Sequence, residues 1–357
     1  MLYKNDWEQA KKRLMAWWDG ELLDRCCASV IASAPVPTKN SYKIGLPDDR
    51  EGKIKYWTDP EWVIKRQRDA MEQTWFGGEA FPLANLDLGA AGHAGFFKGA
   101  KHSFEDSVWF FPSLTDFEDM EFDENSFLYQ KTLELAKAMA DDSKGDYMIA
   151  QSDCTGNADA LSHLIGADEL LPLMLEEPEA VQKAMKKAQY AYEMVHKNVY
   201  DIVKENNEGG SCVGWLRTWA PGFHAQMQSD MSVMISAGMF KEFIEPELRA
   251  QCDFLDYPLY HFDGIEQIRH LDSLLSIEKL RVIQWTQVVG HPPCTEYIPE
   301  LKQIQKAGKN LLIHVTPDQI RPLMENLSSK GLYLLVSASD KEEGEAILKE
   351  IAKYTHE

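Results

Sequence analysis

At 357 residues, with 44% hydrophobic and 26% charged side chains, the chain has ordinary globular composition and enough apolar material for one large domain or two smaller ones. A formal net charge of −20 argues against a nucleic-acid partner and against a polyanionic substrate. Six scattered Cys without a C-x-x-C, no apolar run of membrane length and no signal-peptide core in Met1–Trp7 together predict a cytoplasmic protein that does not enter a membrane.

Taken in chain order, a helix is expected from Trp7 to Trp18, capped by Asn5 or Asp6, then a strand from Cys26 to Ser33 ended by Pro35 and Pro37. A loop from Val36 to Tyr56 leads to a helix with Asp59 as N-cap and Pro60 at its first position, running to Trp75. Phe81–Leu88 reads as a weak strand, Ser107–Phe111 as a strand or an excursion, and Ser126–Met139 as helix. Tyr147–Ser152 is a strand, Asp168–Glu205 is helical with a break near Glu177-Pro178, and Ser211–Arg217 is a strand. The helix Ala237–Phe254 should bend at Pro246. Strands Pro258–His261, Arg281–Gln287, Leu311–Val315 and Leu332–Ser337 then alternate with helices Ile265–Leu275, Ile298–Ala307, Pro317–Leu327 and Lys341–Tyr354.

The later strands are unbroken apolar runs, as parallel strands buried on both faces should be. Repeated strand–helix alternation means a parallel sheet, and a strand count near eight favours a (β/α)8 TIM-type barrel over an open sheet. No linker divides the chain, so residues 1–357 read as one domain: an N-terminal helix over 1–20 and the barrel over 21–357. No G-x-G-x-x-G follows the first strand, and G-x-S-x-G, H-E-x-x-H and the P-loop are all absent.

In such barrels the active site gathers at the C-terminal ends of the strands. Residues at those ends here are Asp153 and Cys154, Arg217 and Trp219, His261 and Asp263, Gln284, Trp285 and Gln287, His314 and Thr316, and Ser337 and Ser339. The sharpest group is Tyr260-His261-Phe262-Asp263-Gly264, because residues two apart on a strand share a face. His261 and Asp263 thus project together, as two metal ligands whose third is not apparent or as a metal-free pair gripping substrate. His314, Ser339 and Cys154 are candidates for that third ligand. Asp153 suits a general base, or a cap of the following turn. Arg217 suits a bidentate carboxylate or phosphate contact, or a surface ion pair. Trp215, Trp219, Trp285, Trp75, Phe76 and Trp109 are candidate pocket walls, and His93, His163 and His224 lie in loops that could reach the mouth.

Several stretches resemble the uroporphyrinogen decarboxylase superfamily: LLDRCCASVI (Leu22–Ile31), QSDMSVMISAGMFKEFIEPELRA (Gln228–Ala250), LYHFDG (Leu259–Gly264), HLDSLLSIEKLRVIQW (His270–Trp285) and IQKAGKNLLIHV (Ile304–Val315). The resemblance implies that family's barrel and pocket. The decarboxylase's Arg-rich signature after its first strand is replaced by SVIASAPVP (Ser29–Pro37), and its Tyr by His163 in NADALSHLIG (Asn157–Gly166). Asp87, in FPLANLDLG, echoes its catalytic Asp. The corrinoid-linked methyltransferase branch binds zinc through a His-x-Cys pair and a Cys on the last strand. This sequence keeps His261, has Asp263 for the first Cys and offers Ser337-Ala338-Ser339 for the second.

The resemblance therefore implies an enzyme that moves a methyl group between a small substrate and a corrinoid carried by a partner protein, with zinc as one reading of the His261–Asp263 pair. Asp153 and His314 would assist proton transfer, and Tyr260, Arg217, Trp219, Gln284, Trp285, Asp87 and His163 would contact substrate. A decarboxylase or lyase using Asp87 and Arg217, and a non-catalytic binding protein, remain open alternatives, as does a homodimer.

Overall fold

The computed structural model describes residues 1–35 and 45–357. Part of the loop expected over 36–56, with the Pro37 strand stop, falls outside the described residues. The strands are β1 (Cys27–Ser33), β2 (Thr74–Gly78), β3 (Leu83–Leu86), β4 (Lys101–Phe104), β5 (Val108–Phe111), β6 (Met148–Ser152), β7 (Ser211–Val213), β8 (Thr218–Ala220), β9 (Gln226–Gln228), β10 (Leu259–Asp263), β11 (Val282–Thr286), β12 (Asn310–Val315) and β13 (Leu332–Ser337).

These form a mixed α/β architecture on a largely parallel framework. One sheet has the order β2-β1-β13-β12-β11-β10-β9, another β3-β6-β7-β8, and β4 and β5 make a separate hairpin. Within the large sheet every pairing from β9 through β13 to β1 is parallel, and β2 alone runs antiparallel, against β1. Strand pairing among the described residues therefore gives two main sheets, where a single closed ring was expected.

The two-residue period of a strand sorts its side chains by face. Tyr260, Phe262, Ile283, Trp285, Leu311, Ile313 and Leu334 pack with the helices in the largest core. The alternate positions Leu259, Val282, Leu312, Tyr333 and Leu335 join Met148, Cys212 and Trp219 of the smaller sheet in a second core. The inner faces of the two sheets thus share one interior.

One end of that interior is filled by the first helix, Trp7–Trp18, whose Trp7, Trp17 and Trp18 belong to the same core. The indole of Trp17 donates to the carbonyls of Leu311 and Gly331, and that of Trp18 to the carbonyl of Trp219. The Asn310 amide returns the contact by donating to the carbonyls of Trp17 and Trp18. Large apolar rings with satisfied N–H groups make a plug that excludes water from this end. What remains open is the other end, where the parallel strands terminate.

Most expected elements are present, within a few residues of their expected ends. Helix Arg50–Thr58 and strand β2 were not anticipated, and Trp75 lies in β2 instead of ending a helix. Strand β7 ends at Val213, so Arg217 sits in a turn and not at a strand end. Pro246 is absorbed by a π turn over Phe240–Ile244 ahead of helix Glu245–Phe254, a usual way to release a hydrogen bond that proline cannot make. No helix among the described residues is long and apolar enough to cross a membrane.

Trp17→Ala should lower the free energy of unfolding by about 3–5 kcal/mol in urea titrations. The same change at Trp109, which is 52% exposed on the hairpin, should cost under about 0.5 kcal/mol.

Candidate functional site

His261 and Asp263 emerge from β10 on the interior face, as their spacing requires, with His261 Nε2 3.8 Å from Asp263 Oδ1. The residue that completes a cluster with them is Asp230. One ligand atom from each of Asp230, His261 and Asp263 lies within 4.8 Å of the others. Asp230 opens the short 3-10 turn Asp230–Met234 after β9, and β9 pairs in parallel with β10, so both strands deliver their carboxylates to the same edge.

Each member is oriented by a neighbour. The Nδ1 of His261 donates to Gln284 Oε1 on the adjacent strand, where the register sets His261 opposite Gln284. The Gln284 amide in turn donates to Thr286 Oγ1 at 2.9 Å. A carbonyl oxygen can only accept, so the proton is on Nδ1 and Nε2 keeps its lone pair facing Asp263. Burial lowers the His261 pKa and favours that neutral form. The Trp215 ring stands edge-on to the imidazole at 4.8 Å.

Asp230 is held by its backbone. Asp159, buried in the first turn of helix Asn157–Ile165, accepts from the amide N–H groups of Asp230 at 2.9 Å and Met231 at 2.7 Å. It also accepts from Thr155 Oγ1 and the Gly156 amide. Gly156 has to be glycine, since a Cβ there would stand 2.3 Å from the Gln228 carbonyl. Solvent reaches the Asp230 carboxylate. It nevertheless lies deep enough that desolvation, with the charges of Asp159 and Asp263, pushes it up to about 8.

Asp153 is the other unusual acid. Desolvation and the nearby charge of Asp87 raise it to about 7, while the Trp215 indole N–H opposes them. Gln226 donates to its Oδ1 at 2.7 Å. His314 projects into the same space from β12, and burial together with Arg217 and His261 holds it down at about 4. Trp215 therefore touches the Asp230–His261–Asp263 cluster, Asp153 and His314 act on it electrostatically, and Arg217 reaches it through His314.

Other expected residues lie elsewhere. Tyr260 and Trp285 are buried against the helices: Tyr260 donates to Gln267, and Trp285 stacks on Phe262. They occupy the strand positions between His261, Asp263 and Gln284, so the same alternation that places those three turns these two away. Trp219 lies beside Trp7, and its indole donates to the Asn207 carbonyl. The chain reverses after β7, and antiparallel β8 carries Trp219 back towards the plugged end. Gln284 serves as the orienting partner of His261.

Asp87 is exposed, accepts from the Gly89 amide and enters the site through its field on Asp153. His163 packs near Phe110 of the hairpin and meets the cluster only through the charge of Asp159. His224 is bonded to Thr218 and the Tyr257 carbonyl beneath Trp18, and His93 is fully buried. As third ligands, Cys154 is buried in a separate core and Ser339 donates to Glu343 in the cap of the last helix. Asp230 was missed because β9 is only three residues long and leaves little trace in the sequence. Its signal was an Asp two residues beyond Gln228, at the start of a stretch already singled out.

No family model and no curated protein matches the sequence. Solved structures do match. A methyltransferase from Methanosarcina mazei superposes with a TM-score of 0.64, covering 96% of this chain and 98% of that one at 15% identity. The two chains share a fold. At such low identity the likeness speaks for architecture, and the site must be argued from its own residues.

The raised Asp153 gives a signed pH dependence. Its value of about 7 lies above the ~3.9 of an unfolded Asp, so between these values the folded protein holds a proton that the unfolded chain has lost. The contribution of Asp153 to stability should fall as pH rises from about 4 to about 7 and level off above, and the difference in unfolding free energy between wild type and Asp153→Asn in urea titrations should trace it.

Proposed function

We propose that the protein is a methyltransferase of the uroporphyrinogen decarboxylase-like type, its two sheets forming the wall of a (β/α)8-type barrel with a metal-assisted site at the open end. The observation that carries this reading is the Asp230–His261–Asp263 cluster. One imidazole nitrogen and two carboxylate oxygens on neighbouring parallel strands match the three protein ligands of a catalytic zinc site. Tetrahedral zinc at bond lengths near 2.0–2.1 Å sets its ligands about 3.4 Å apart, so the cluster needs to contract by roughly an ångström. The orienting bond from Gln284 to His261 is the outer support such a ligand usually has. The fold shared with the Methanosarcina mazei methyltransferase agrees with methyl-group chemistry.

A bound divalent ion would act as a Lewis acid that lowers the pKa of an acceptor's hydroxyl, amine or thiol. The oxygen-rich donor set favours the harder acceptors among these. Asp153, poised near neutrality and linked to His261 through Trp215, is placed to take the acceptor's proton. His314, neutral at physiological pH, can donate or accept a hydrogen bond beside it. The methyl donor would be a methyl-corrinoid presented by a partner protein at the open end.

A decarboxylase or lyase acting on a small acid is the second reading, and the charge of Asp87 acting on Asp153 is what favours it.

Elemental analysis should find about one zinc per chain, lost in His261→Ala and in Asp230→Asn. Asp159→Asn should weaken binding about 10–100-fold by freeing the Asp230 backbone. Methylcobalamin absorbance should decay in the presence of zinc-loaded protein and a small alcohol, amine or thiol, and not with His261→Ala. Zinc-free protein after zinc incubation, with carbon dioxide released from a small acid and that release lost in Asp87→Asn, would establish the second reading instead.

A further inference from the structure

Arg217 combines an unusual backbone conformation with a half-buried side chain. It closes the turn between β7 and β8, where its amide donates to the Gly214 carbonyl at 3.0 Å. Its φ is +50°, in the left-handed region that side chains other than glycine seldom adopt. Lys144 and Glu208 share that conformation among the described residues, but both are exposed beside helix ends. Arg217 is instead half-buried beside the site, and the Tyr333 hydroxyl pins it by donating to its carbonyl at 2.9 Å. Strain that the surroundings enforce in this way is typical of ligand-gripping positions.

The guanidinium has almost nothing to hold. Its one hydrogen bond among the described residues is a long one, Nη1 to the Val336 carbonyl at 3.3 Å. Arg13 and Arg25 share Glu79, and Arg68 bridges Asp142 and Asp146, but no described carboxylate pairs with Arg217. Residues 36–44, VPTKNSYKI, contain no Asp or Glu either. In a chain of net charge −20, an arginine withdrawn from water without a counter-charge is out of keeping with its surroundings. Burial of an unpaired charge is costly, and an anion arriving at the fork relieves that cost through paired, charge-assisted bonds.

The same turn also carries Trp215, whose ring touches His261. Arg217 also reaches the end of β13 at the Val336 carbonyl, β13 pairs in parallel with β12, which carries His314, and Arg217 and His261 both act electrostatically on that imidazole. We infer that the small substrate carries an oxyanion, such as a carboxylate, sulfonate or phosphate, which binds Arg217 with His314 alongside. Its reacting heteroatom then points at Asp230, His261 and Asp263. The orientation of the heteroatom rests on the methyl-transfer reading above, while the anion site does not. A single guanidinium selects one anionic group and leaves the polyanions disfavoured by the overall charge excluded.

The test uses metal-free, chelator-treated protein at constant ionic strength set by chloride. Acetate, methanesulfonate and inorganic phosphate are titrated separately, with acetamide as the neutral control, and the melting temperature is followed. At least one anion should raise the melting temperature above the chloride baseline, acetamide should not, and the most effective anion names the headgroup. Arg217→Lys should weaken that anion's binding about tenfold, and Arg217→Gln should abolish the shift. An equal shift in Arg217→Gln, or none in the wild type, overturns the proposal.

A measurement on the unaltered protein covers the case in which the variant does not fold. The same anion should slow phenylglyoxal modification of Arg217, located by peptide mass mapping, and an unchanged rate overturns the proposal. Failure of the metal reading would show separately, as absence of bound zinc with the anion response intact.

Discussion

Successive side chains on β10, β11 and β12 point to opposite sides of the sheet, and the site depends on that constraint. Leu259, His261 and Asp263 face the interior while Tyr260 and Phe262 face the helices. The parallel register then sets His261 beside Gln284, and one hydrogen bond fixes the tautomer that leaves Nε2 available. A shift of one residue in any of these pairings would bury the imidazole against apolar helices and turn an aromatic ring into the site. Hydrophobic burial on the helix side, worth far more than any polar contact here, holds the register against such a shift.

Closing one end of the interior is as important as opening the other. The tryptophans of the first helix fill the space where the strands begin, the indoles of Trp17 and Trp18 donating to the carbonyls of Leu311, Gly331 and Trp219 and that of Trp7 to the Glu208 carboxylate. The residues of the candidate site gather at the end where the parallel strands stop. There, low dielectric and crowding do the electrostatic work. Asp230 and Asp153 are raised, His314 and His261 are lowered, and Arg217 has no carboxylate partner among the described residues. In every case loss of water is the first cause of the shift, and neighbouring charges modify it.

Much of the architecture was legible along the chain. Unbroken apolar runs such as NLLIHV and LYLLVS announce strands buried on both faces, and Asp59-Pro60 announces a helix start that its side chain does cap. The i, i+2 argument for His261 and Asp263 holds in three dimensions for the same reason that it can be read in one. Applied one residue further it would also have turned Tyr260 and Trp285 away from the site. The three-residue strands β8 and β9 escape such reading because a two-residue period needs more than one repeat to be recognised, and β7 reads four residues too long.

The sequence by itself determined the alternating α/β plan, the parallel strands and the His261–Asp263 pair, because these follow from local periodicity and from which residues are apolar. Tertiary structure alone decided that Asp230 joins that pair, that Gln284 orients the imidazole, that Asp159 braces Asp230 from 71 residues away, and that Arg217 stands without a counter-ion. Those relations lie between segments far apart in the chain. They depend on how strands pair and where a turn points its last side chain, and no local pattern encodes either.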